Sequence, residues 1–324
     1  MIDYNRYDWY GTVFSYRGTA LRQITGRIFW VTFFALIIQT LYEIGMSLEW
    51  PNAKAWVQLQ PGPHAVLGSL LGFLIVFRMN ASNNRYWEGR SLWGQMINSS
   101  RNLVRAGVAH TDAGDHLADL VSGYVITVRC CLRGVLDMSE TEMFLPEELR
   151  VRAAHFGNPP SAVASAISDW IVLQLQKGQL SPQMGRHMED QLSRMVDAQG
   201  GCEKIQKTPL PFVYVVMIKQ LILVYLLTLP IAVCDHCGWW SPVLVAIVSL
   251  GLFGMEEAGV ETENPFGDQE NCLDMTTYTL TISRDAGQMS AHKVLPVQAY
   301  PVPAGETVLH APHNGQSVPT TVKS

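Results

Sequence analysis

The stretch His64-Ala-Val-Leu-Gly-Ser-Leu-Leu-Gly-Phe-Leu-Ile-Val-Phe-Arg78 decides how this chain is read. From Ala65 to Phe77 only Ser69 is polar, yet the run is thirteen residues long, short of the ~20 that a lone helix needs to cross a bilayer. Gly68 and Gly72 stand four apart, a spacing of small residues that lets helices approach closely. Ser69, Phe73 and Phe77 repeat at the same interval on a neighbouring stripe. With several copies around an axis, that stripe faces a pore, and rings of Phe form an apolar constriction that gates by dewetting. The same periodicity also fits an ordinary buried helix whose aromatics are core.

Outward from this stretch the composition is divided. Apolar residues make up 48% and charged residues 16% of the 324, but the charges avoid four segments. These predict membrane helices at about 28–46, 63–78, 212–233 and 239–255. A mean hydropathy of +0.10 fits a chain that is half membrane-embedded and half water-exposed. No amino-terminal signal peptide is visible, because Arg6, Arg17, Arg22 and Arg27 precede any apolar run. Lys and Arg crowd the amino-terminal arm and the region after Arg78. The 48–62 loop holds only Lys54, and 234–238 holds neither. The positive-inside rule therefore places both termini and the insert 79–208 in the cytoplasm. The chain is expected to be a multi-pass protein of a cell membrane, a bacterial inner membrane by its kind, in contact with lipid.

The insert reads as helical. Apolar residues recur at helical spacing over Trp87–Val104 and Ser161–Lys177, and Leu120–Leu136 is more continuously apolar and reads as a central cytoplasmic helix. Ser181-Pro182 supplies an N-cap and first-turn proline for a helix from Met184 to Met195. No strand pattern or internal repeat is evident, so the fold class is all-α. From 291 to 324 the chain turns to Pro, Thr, Gly, His and Ser, and a disordered tail is expected.

Few residues offer chemistry. Cys130, Cys131, Cys202 and Cys272 fall on the expected cytoplasmic side and read as reduced thiols in packed helices. Cys234-Asp-His-Cys237 lacks a second ligand pair for zinc and reads as a short disulfide or two free thiols. The acidic run from Glu256 to Asp268 has no calcium-loop spacing and reads as a solvated helix end. Nucleophile elbows, phosphate loops and metalloprotease helices are absent. No enzyme, cofactor, metal or nucleic-acid partner is expected.

Three stretches carry a resemblance: Phe77-Arg-Met-Asn-Ala-Ser-Asn-Asn-Arg-Tyr-Trp-Glu-Gly-Arg90, Gly201-Cys-Glu-Lys-Ile-Gln-Lys-Thr-Pro-Leu-Pro-Phe212 and Glu263-Asn-Pro-Phe-Gly267. In order and spacing they resemble the bestrophin family of ion channels, in its prokaryotic branch, over about residues 5–290. The resemblance implies a channel domain at 1–290 that assembles as a homopentamer around one pore. The second membrane helix would line the neck with Ser69, Phe73 and Phe77. Ser69 stands where the family carries a large apolar residue. Counting back from Gly201-Cys-Glu203 puts the cytoplasmic aperture at Met184, with His187 close by. Animal members of the family conduct chloride and some bacterial ones conduct cations. Small inorganic ions, chloride foremost, are the expected cargo. A cation-selective channel of the same fold and a non-conducting membrane scaffold are the alternatives.

In the calcium clasp of animal members an acidic run follows Asn-Pro-Phe-Gly. Here Gln269 and Cys272 occupy two of its carboxylate positions. Micromolar Ca²⁺ is therefore expected to leave open probability in planar bilayers unchanged. A steep calcium dependence would show that other ligands exist.

Overall fold

The computed structural model describes residues 7–15, 18–49, 61–135 and 137–291. Most of the 48–62 loop and all but the first residue of the 291–324 tail lie outside that set. Every regular element among the described residues is helical. In chain order they are α1 (Trp9–Val13), α2 (Leu21–Ser47), α3 (Pro61–His110), α4 (Gly114–Leu132), α5 (Glu147–Ala154), α6 (Pro159–Gln176), α7 (Pro182–Lys207), α8 (Phe212–Cys237), α9 (Ser241–Glu263) and α10 (Met275–Ser290).

Helix α3 organises the subunit. The sequence predicts a membrane helix at 63–78 and a separate helix at 87–104. The structure runs straight through both for 50 residues, ~75 Å at 1.5 Å per residue. The polar stretch from Arg78 to Arg90 suggested a break, but it contains no Pro or Gly before Gly89 and nothing that stops a helix.

Two apolar cores flank this rod. The first joins α2, the first half of α3, α8 and α9 through Val31, Ala35, Leu71, Ile75, Ile222 and Val245. Three continuous helical stretches, 21–47, 62–110 and 212–263, are long and apolar enough to cross a membrane. Within the last, Gly238 at φ +51° reverses the chain, because Lys219 on α8 reaches Glu256 on α9 at 3.4 Å. At one end of this bundle Arg27, Arg78 and Lys219 gather around Glu256. Towards the other, Tyr42 donates to Asp235 at 2.6 Å. The four segments therefore run alternately up and down.

The second core packs α4, α5, α6, α7 and α10 against the rest of α3, with Trp93, Met96, Leu117, Tyr124, Ile167 and Met188 fully buried. α4 is buried along almost its whole length, as its continuous apolar run implied. Its Tyr124 hydroxyl donates to Gln199 at 2.7 Å. The expected cap of α7 is present, with Ser181 Oγ accepting from the Met184 amide at 3.2 Å. α7 itself runs twelve residues past the expected end at Met195, to Lys207. α5 and α10 were not read from sequence. α10 begins on Asp274, which accepts from the Thr277 amide at 3.0 Å.

All six cysteines are free, so Cys234 and Cys237 form no disulfide. Burial pushes the thiols of Cys131 and Cys202 up to about 11 and about 12. Both are protonated at neutral pH and poor nucleophiles.

The packing of α4 on α3 sets a sharp test. A Cβ at Gly114 would lie 2.7 Å from the Val108 backbone, which cannot rotate away. Gly114→Ala should cost about 1–3 kcal/mol, read as a lower melting temperature. At Gly200, inside α7, a Cβ meets nothing within 4 Å, so Gly200→Ala should gain ~0.5–1 kcal/mol of helix propensity.

Candidate functional site

The two faces of α3 differ along its length. On one face Leu71, Ile75 and Arg78 are buried. On the other Ser69, Phe73 and Phe77 stand in line, with Phe73 61% and Phe77 50% exposed. Their rings meet edge to face at 4.5 Å, a favourable pairing of ring edge on ring face. Ser69 turns its hydroxyl onto its own helix, donating to Ala65 O at 3.0 Å. Val66, Leu70 and Val76 flank this row, so the unpartnered face is broadly apolar.

Below Phe77 the exposed row continues in a different chemistry. Asn80, Asn84, Ser91, Gln95, Asn98 and Asn102 follow at intervals of three to seven residues. α3 carries five arginines against a single glutamate, Glu88, and Glu88 is held by Lys204 at 2.8 Å. Arg78 is buried against Glu256, Arg85 is held by backbone carbonyls and Arg101 by Asp285, so the exposed row itself is one of amides and hydroxyls that carries no carboxylate.

The two small residues of the neck stretch have different surroundings. Gly68 faces Tyr225 of α8, where a Cβ would lie 2.8 Å from the hydroxyl oxygen. Gly72 has nothing within 4 Å in the single chain. His64 is buried and stacks on Tyr225 with ring centroids 4.4 Å apart. Met184 sits in the first turn of α7, half-buried against the second core. His187, three residues on, is exposed.

Where α3 leaves the first core lies a cluster that the sequence reading did not find. Arg78 is 1% exposed and meets Glu256 at 2.7 Å and Glu263 at 3.8 Å. Arg27 reaches Glu257 at 2.9 Å and Glu256 at 3.6 Å. The expectation of a solvated helix end at Glu256–Glu257 is therefore wrong. Both are buried, and they are bound by cations from α2, α3 and α8. Charges taken out of water persist only when paired in this way.

The three stretches that carried the family resemblance converge just below. Arg85 donates to Ile205 O, Thr208 O and Glu263 O at 2.5–2.9 Å. It thereby satisfies carbonyls that the ends of α7 and α9 leave free. Glu263 accepts from the Leu210 amide at 3.0 Å. Phe266 is fully buried against Gly89, where a Cβ would lie 3.0 Å from its ring. Gly201 gives the same room to Leu92. These motif residues hold helices together.

The acidic loop beyond is wired internally. Asp268 pairs with Arg133 at 2.9 Å, and the Asn271 amide donates to Glu261 at 2.6 Å and to Gly18 O at 2.9 Å. Among the described residues no group of three or more His, Cys, Asp or Glu side chains could hold a metal.

Comparison with known proteins agrees across sequence and structure. A family model described as Bacterial/Fungal Bestrophin protein matches residues 1–288. A voltage-dependent anion channel-forming protein of Nostoc sp. is 30% identical over 87% of this chain and 92% of its own length. The voltage-dependent anion channel-forming protein YneE of Escherichia coli K12 is 25% identical over 90% and 95%. A crystal structure of a bacterial bestrophin homolog from Klebsiella pneumoniae superposes with a TM-score of 0.76. It covers 83% of this chain and 98% of that one at 23% identity, which shows a shared fold.

The ion cluster makes an asymmetric prediction. Glu256→Gln leaves buried Arg78 with only Glu263, at 3.8 Å, as counter-charge and should cost up to about 3–5 kcal/mol. Lys219→Met removes a half-exposed ammonium and should cost under ~1 kcal/mol. Thermal denaturation in detergent reads both. A Glu256→Gln protein as stable as the parent would show that the cluster bears no structural load.

Proposed function

Since this chain belongs to the bestrophin family of channel proteins, we propose that it is a homopentameric anion channel of the cell membrane, passing chloride and similar small anions. On this reading four helices, α2, the first half of α3, α8 and α9, cross the bilayer. Residues 1–290 form the channel unit, and both termini and the insert are cytoplasmic, as the Arg-rich arm and insert require.

The observation that carries the reading is the outward row of α3. Ser69, Phe73 and Phe77 are left without partners in a subunit whose other face is tightly packed. Five such rows around an axis give a neck whose walls are two rings of Phe below a ring of hydroxyls. Gly68 lets α8 pack closely against that helix through Tyr225, and Gly72, with nothing within 4 Å, leaves room for a neighbouring helix near the axis. An apolar neck of this kind has no fixed charge. It favours ions that shed water cheaply, and aromatic ring edges are weakly positive. The amide row below the neck adds no carboxylate that would favour a cation. Met184 is the proposed second constriction, a soft ring at the cytoplasmic aperture. Its half-buried place at the head of α7 leaves part of the side chain free to serve it.

The basic test is flux from liposomes containing the purified protein. A salt-dependent leak supports the channel, and its absence supports a scaffold. Replacing both Phe73 and Phe77 by Ala should widen and wet the neck and raise single-channel conductance severalfold, with the oligomer intact on size exclusion. Unchanged current in that double mutant would remove these residues from the neck.

Met184→Ala should alter conductance or reversal potential while the pentamer persists. A drop in melting temperature of the size expected for a buried Met, ~2–5 kcal/mol, with permeation unaltered would make Met184 a packing residue only.

A further inference from the structure

A cleft of about 560 Å³ opens between α3 and α7, outside the neck and the aperture. Its wall is made by Arg90, Gln95, Asn98 and Ser99 of α3 and Gln191 and Arg194 of α7, and no carboxylate lines it. Two of the lining side chains, Ser99 at 4% and Gln191 at 6% exposed, are largely buried and reach the cleft.

The two guanidinium groups are held differently. Arg90 lies over the ring of Tyr278 on α10, 4.9 Å from its centroid. It runs along α3 past Gly94, where a Cβ would sit 3.5 Å from its Nη1. A larger residue at 94 would crowd it. Arg194 is exposed at the rim, and its backbone carbonyl accepts from the Gln95 amide at 3.1 Å, which ties α7 to α3 beside the cleft. Neither guanidinium has a carboxylate partner within 4 Å. Arg101, about three turns beyond Arg90 on α3, is taken by Asp285 at 2.6 Å. A cleft with two unneutralised cations, amide and hydroxyl groups, and no acid, is chemically complementary to an oxyanion. Guanidinium forks match carboxylate and phosphate oxygens, while amides and hydroxyls suit the remaining lone pairs.

We propose that this cleft, which opens onto the amide row of α3, is a binding site for a small multivalent oxyanion of the phosphate or carboxylate class. Its volume exceeds what a bare halide fills. It shares the exposed face of α3 with the proposed conduit. Only the claim that an occupant sits beside the ion path, and so modulates conduction, rests on the proposed function; binding itself does not.

The experiment uses full-length protein in detergent or nanodiscs at constant ionic strength, with inorganic phosphate and succinate as separate titrants and chloride as the control. Calorimetry or thermal shift should show saturable binding of one or both titrants, and which of them binds identifies the oxyanion. Arg194→Gln, at an exposed position, and Ser99→Ala, a minimal change, should each weaken it, with Arg194→Gln losing about tenfold. Phe73→Ala should bind like the parent. Saturable binding that survives both cleft substitutions would overturn the site, as would a response to phosphate and succinate no greater than to chloride. A protein that conducts normally but fails to bind refutes this inference alone. One that binds but shows no flux refutes the proposed function and leaves the site standing.

Discussion

The pairing of Arg78 with Glu256 is the constraint on which the rest of the subunit depends. A guanidinium that is 1% exposed and a carboxylate that is 2% exposed have both left water, and each is tolerable because the other stands 2.7 Å away with further charges of opposite sign close by. The pair sits where α3 passes from the apolar bundle into the helical insert. Arg27 and Lys219 bring α2 and α8 to the same two glutamates. Turning α3 by one residue would swing Arg78 about 100° and strand it among apolar side chains. The cluster therefore fixes the rotation of α3 as well as its depth. Rotation decides which face looks outward, and hence that Ser69, Phe73 and Phe77 are the row left bare.

One rod with two cores gives this constraint its reach. Because α3 continues unbroken from Pro61 to His110, the rotation set at Arg78 carries along both halves. The apolar row above and the amide row below follow from it. Arg85 and Phe266 then fasten α7 and α9 onto the same rod, so the insert cannot swing independently of the bundle. In the proposed pentamer a displacement of the insert would be felt at the neck, which makes the α3–α7 cleft a lever on conduction.

Local features of this architecture were legible in the sequence and distant ones were not. Ser181-Pro182 announces the start of α7, because caps act within four residues. The apolar segments show themselves by composition. The continuity of α3 was missed because residues 78–90 are polar, although polarity does not stop a helix when the exposed side of a long rod is solvated. The buried role of Glu256 was missed for a different reason. Its partner is 178 residues away, and an acidic cluster with no cation near it in sequence looks solvated. The motif residues were recognised by their pattern, but their work as helix fasteners emerged only when Arg85, Ile205 and Glu263 were brought together.

The central claim is that the outward face of α3 lines a passage for anions. It is tested most directly by the reversal potential of the purified channel in planar bilayers under asymmetric NaCl. The account predicts a reversal close to the equilibrium potential for chloride. A reversal near that of sodium would contradict it, and would assign the same row of Ser69, Phe73 and Phe77 to a cation pathway.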